Sequence, residues 1–106
     1  MELFRRPFRD VVERQLALFE EENARELAAI GVARSRAGEA DVDDAEEAFG
    51  DLRDLLDWAA GDLRAFRDAY AASLEPGRRH AYERAFTRAV RRRLPALLDA
   101  FVHDDA

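Results

Sequence analysis

Cysteine and lysine are both missing from this chain of 106 residues, and serine occurs only at Ser35 and Ser73. Without cysteine there are no disulfides, no thiolate metal sites and no thiol nucleophile. Without lysine no Schiff base or amine nucleophile can form. No Gly-rich phosphate loop, Gly-x-Ser-x-Gly elbow or Ser/His/Asp set is found either, so the common catalytic signatures give no foothold. The longest apolar runs, such as "LAAIGVA" at 27–33, fall far short of the roughly 20 residues that a bilayer requires. No signal-peptide-like apolar stretch follows "MELFRRPF"; the expectation is a cytoplasmic protein with no membrane partner.

What is present is charge and helical periodicity. Charged residues make up 38% and hydrophobic ones 48% of the chain, a balance that suits one globular domain spanning 1–106. All 17 basic residues are arginine. The guanidinium fork binds carboxylates bidentately and is less strongly hydrated than an ammonium, which suits interfacial ion pairs.

Apolar spacing predicts an all-α fold of three helices, at about 7–34, 43–74 and 77–102. Pro7 fits a first helical turn, and Phe8, Val12, Leu16, Phe19, Leu27 and Ile30 then follow at steps of three and four, with Asn23 standing between Phe19 and Leu27. "SRAGEADV" (35–42) reads as a loop. Asp43 with Glu46 resembles a capping box for the second helix, with Asp41 as the competing cap. In that helix Phe49, Leu56, Leu63 and Tyr70 recur every seven residues, with Ala45, Leu52, Ala59 and Phe66 between them. This is a coiled-coil-like a/d seam. "LEPGRR" (74–79) forces a tight reversal. The third helix carries Tyr82, Phe86, Ala89, Val90, Leu97 and Phe101 on one side, and Pro95 predicts a kink within it. The expected object is an elongated antiparallel three-helix bundle, or a helical hairpin whose remaining helix pairs elsewhere.

The charge is unevenly laid out. Residues 39–62 hold ten carboxylates against Arg53, a net of −9, and residues 78–93 hold seven arginines against Glu83, a net of +6. Antiparallel pairing of the second and third helices would set Arg88 to Arg93 level with Asp57 to Asp62, and residues near 51 level with those near 101.

Four groups of residues are candidates for function. The interaction seam is Phe49, Leu52, Leu56, Leu63, Phe66 and Tyr70. Off it lies a second face, Trp58 with Gly61, Ala65, Ala69 and Ala72, whose small residues would let another helix approach; it meets either the third helix or a second chain. A basic face, Arg84, Arg88, Arg91 and Arg92, would suit phosphates if seen alone, but the pI near 4.9 and the lack of interleaved aromatics speak against nucleic acid. Asn23 and Glu26, with Gln15, lie in or beside the first helix's apolar stripe. A buried Asn there fixes register or oligomeric state; ligand binding is the other reading. His80 with Glu83 and Asp99 with His103 read as surface pairs, and no catalytic residue, metal site or cofactor is expected. The function expected is a non-enzymatic protein–protein interaction or assembly module that self-associates, most simply as a dimer, or joins another helical protein. A nucleic-acid-associated protein, and then a metal- or small-ligand-binding bundle, are the alternatives.

Overall fold

A computed structural model describes residues 7–103. Within them the chain is all-α, in five helices rather than three: α1 (Arg9–Glu22), α2 (Ala24–Glu39), α3 (Val42–Ala72), α4 (Pro76–Arg93) and α5 (Pro95–His103). The first predicted helix is broken at Asn23, and the third at Leu94. The acids of the tail at Asp104 and Asp105 lie outside the described residues.

Each boundary has a local cause. Pro7 lies in a turn and α1 begins at Arg9, behind Phe8, whose φ of 66° is left-handed. That conformation is unfavourable for a bulky residue. Packing holds it there: the Phe8 ring meets Tyr82 edge-on at 5.5 Å and lies 4.7 Å from the Arg78 guanidinium. At Asn23 both the backbone N–H and the side-chain amide donate to the Phe19 carbonyl, at 2.9 and 3.0 Å. The side chain thus closes one helix while the backbone starts the next. The predicted loop at 35–42 shrinks to Ala40 and Asp41, because α2 continues to Glu39 with Ala33 and Ala37 buried as it packs along α3. Asp41, not Asp43, caps α3, accepting from the Asp44 N–H at 3.1 Å. Pro76 takes the first position of α4, where its missing N–H costs nothing.

Pro95 does not kink a continuing helix. Residues before proline are driven out of the helical region, and Leu94 adopts φ −135°, ψ 55°. The chain then folds back. Phe86 and Phe101 stack with centroids 5.7 Å apart, whereas fifteen residues of unbroken helix would separate them by about 22 Å. The Arg64 guanidinium donates to the Ala100 and Phe101 carbonyls at 3.0 and 3.3 Å, and Arg67 lies 5.2 Å from the Phe101 ring. Position 101 therefore sits beside 64–67, not beside 51 as continuous antiparallel pairing would require.

α4 runs antiparallel to α3 and parallel to α1, since Phe8 meets Arg78 and Tyr82 while Glu20 meets Arg93. These helices and α5 enclose one core in which Leu16, Leu63, Tyr82, Phe86 and Val90 are fully buried. Each large side chain buried there contributes about 1.5–3 kcal/mol. α2 and the first half of α3 extend from that head as a two-helix arm. Beyond Ile30, which joins the core of the head, its buried residues Ala33, Ala37 and Ala48 are all small. The molecule measures 54 × 29 × 22 Å with a radius of gyration of 15.9 Å, against about 13 Å for a compact chain of this length.

Candidate functional site

The heptad seam of α3 has two fates. In the head, Leu63 is wholly buried, Phe66 and Tyr70 are half-buried, and the Tyr70 ring lies 4.7 Å from that of Tyr82. Towards the arm the seam outruns its cover. Leu52 and Leu56 are half-buried, Phe49 is 52% exposed and Val42 is 92% exposed. A recess of about 300 Å³ lies here, lined by Phe49, Leu52 and Leu56 of α3 and by Ala96 and Ala100 of α5. The reversal at Leu94 creates it: a straight third helix would have run on along this stretch.

The face around Trp58 is not covered by α4, which lies on the Tyr70–Ala71 side of α3. Trp58 is 49% exposed, Ala65, Ala69 and Ala72 are exposed, and Gly61 is intermediate. The expected contact between this face and the third helix of the same bundle is therefore absent.

Arg92 and Arg93, at the end of α4, find their acids on α1. Arg92 pairs with Glu13; Arg93 donates to Glu13 at 3.2 Å and to Glu20 at 2.7 Å. The hydrogen bond from Arg92, with that from Arg93, holds the Glu13 carboxyl below its ordinary range, and the bond to Glu20 raises Arg93. These side chains remain 30–40% exposed, so each pair contributes about 0–1 kcal/mol and acts chiefly to align α1 with α4. Arg84 and Arg91 are exposed and Arg88 is half-buried. Arg79 caps the end of α3, donating to the Ala71 and Leu74 carbonyls at 3.0 and 3.1 Å.

The polar candidates on the first predicted helix are not brought together. Asn23 serves the α1–α2 junction. Gln15 accepts the Tyr82 hydroxyl at 2.7 Å, and burial pushes that hydroxyl up to about 12. Glu26 is half-buried on α2. His103 is exposed and sits 2.8 Å from Asp99. Among the described residues no three His, Asp or Glu side chains group as metal ligands, and no helix is long and apolar enough to cross a membrane.

One surface was missed by reading for apolar periodicity. On the other flank of the arm, α2 and α3 bound an open groove of about 880 Å³ that includes Gly31, Val32 and Ala48. Along its α3 side run Asp44, Glu47 and Asp51, and Asp54 borders the adjoining recess. Their steps of three, four and three were legible as a second, acidic stripe on α3. No known protein family model, curated protein or solved structure matches the chain.

Proposed function

We propose that the chain is a non-enzymatic helical interaction module that self-associates through the arm of α2 and α3. The observation that carries this reading is the uncovered end of the α3 seam, where Phe49 and Val42 project from a helix whose seam is buried at Leu63. An apolar stripe that continues past its intramolecular cover loses its exposed area to water only by meeting another chain. The seam repeats as a coiled-coil interface does, and two copies related by a two-fold axis would each lay Phe49, Leu52 and Leu56 against the other. Each chain carries −6, so association is opposed by repulsion and strengthens as salt screens it. The α4 arginines support nucleic-acid binding less well, because Arg92 and its neighbour Arg93 are already neutralised by α1.

Light scattering on the size-fractionated protein tests the proposal. A dimer is expected at micromolar concentration, and Phe49→Asp should leave a monomer of unchanged helical content, since Phe49 is outside the core. A chain that stays monomeric at every concentration, or a dimer indifferent to Phe49→Asp, overturns it.

A further inference from the structure

The acidic flank of the arm faces away from the seam and has a different chemistry. Its floor is small and apolar: Ala28, Gly31 and Ala48 flank Val32, which is 62% exposed. The groove runs on into a recess of about 590 Å³ that shares Val32, Arg36 and Asp51 with it and reaches Leu55. From Asp44 to Leu55 the α3 wall is about 16 Å long, the length of three helical turns. Along this wall stand Asp44, Glu47, Asp51 and Asp54, and among the described residues none of them is ion-paired. Among the described residues Arg36 is the one cation lining the groove.

We infer that this groove is a docking site for a cationic amphipathic helix of another protein, about three turns long. Its apolar stripe would lie on Val32 and the small residues beside it, with arginines or lysines spaced by three and four against the four carboxylates. Charge decides between the occupants. A second arm laid into the groove would oppose carboxylates to carboxylates, a juxtaposition that costs affinity. A basic helix supplies what the wall lacks and is steered to it. A Cβ at Gly31 would meet nothing within 4 Å, so a side chain can be introduced there to test the groove.

The test uses the full-length protein and a fluorescein-labelled synthetic peptide of leucine, alanine and arginine, its apolar and basic residues segregated on a helix. A scrambled peptide of the same composition is the control. Anisotropy should show binding of the segregated peptide at least about tenfold tighter than the scrambled one, weakening steeply with salt. Gly31→Leu puts a side chain into the groove from a position where its Cβ meets nothing within 4 Å, and should abolish binding while the circular dichroism is retained. Glu47→Arg with Asp51→Arg should cost at least about tenfold, and Phe49→Asp should change nothing, which separates this site from the seam. Equal binding of the two peptides, or full binding by Gly31→Leu, overturns the proposal. So does loss of self-association in Gly31→Leu by a protein that ignores the peptide, which would assign the groove to a second copy.

Discussion

Replacing Tyr82 by phenylalanine separates the burial of a hydroxyl from the packing of its ring. The ring touches Phe8, Tyr70 and Phe86, with centroids at 5.5, 4.7 and 5.9 Å, and is 0% exposed. Phenylalanine keeps those contacts and removes only the hydrogen bond to Gln15. Gln15 is partly exposed, so water can replace its lost donor, and the variant should be less stable by about 1 kcal/mol at neutral pH. Alkali reverses the order. An ordinary tyrosine ionises at 10.0 and Tyr82 at about 12, so the folded state holds the proton more tightly than the unfolded one. This contribution, about 3 kcal/mol, is complete below pH 10 and is lost as pH rises towards 12. Wild type loses it and the variant does not. The two stabilities should cross near pH 11 and differ by about 2 kcal/mol in the variant's favour above about pH 12. Urea denaturation followed by circular dichroism, at one protein concentration and a series of pH values, measures both curves against the same background of other titrating groups. A difference that stays constant from about pH 8 to about 12 would refute the reasoning, because the hydroxyl would then ionise as freely in the fold as out of it.

Leu63→Ala, at a fully buried site, should cost about 2–5 kcal/mol in the same assay, and Leu56→Ala, half-buried, distinctly less; equal costs would contradict the division of the seam between head and arm. Arg64→Ala removes the bonds to the Ala100 and Phe101 carbonyls and should cost about 1–3 kcal/mol. Its hydrogen-exchange protection should fall mainly in α5, and a uniform loss over all five helices would argue against a local capping role. Glu13→Gln should cost under about 1 kcal/mol at neutral pH, given the exposure of its pairs with Arg92 and Arg93. Since the folded carboxyl titrates below 4.5, its contribution is present above that pH and lost as pH falls through the lowered value. The gap between variant and wild type should therefore narrow as the carboxyl protonates in acid; a gap that does not depend on pH would mean that charge is not its source.

Much of the helical reading was legible in local spacing. Val12, Leu16 and Phe19, and likewise Tyr82, Phe86 and Val90, are core residues as their periods require. What local spacing could not show is where a periodic run stops. The apolar stripe passes through Asn23 from Phe19 to Leu27 without a gap, so the break there is visible only in where the amide points. "SRAGEADV" has the composition of a loop, yet Ala37 is buried as α2 packs along α3 and carries the helix through Gly38. The acidic stripe of α3 was in plain view, but that it borders an open groove with α2 is set by the packing of those two helices.

The sequence by itself determined an all-helical chain, the turn at Pro76 and the residue types that fill the core, because helical propensity, punctuation and apolar period act over a few residues. Tertiary structure alone decided that α5 folds back on α4, that Arg92 and Arg93 answer to α1, and that one end of the α3 seam and the acidic groove are left open. Those outcomes hang on contacts between residues tens of positions apart, such as Arg64 with Ala100 and Arg93 with Glu20. No local pattern encodes which of several chemically equivalent partners a folded chain will bring within reach.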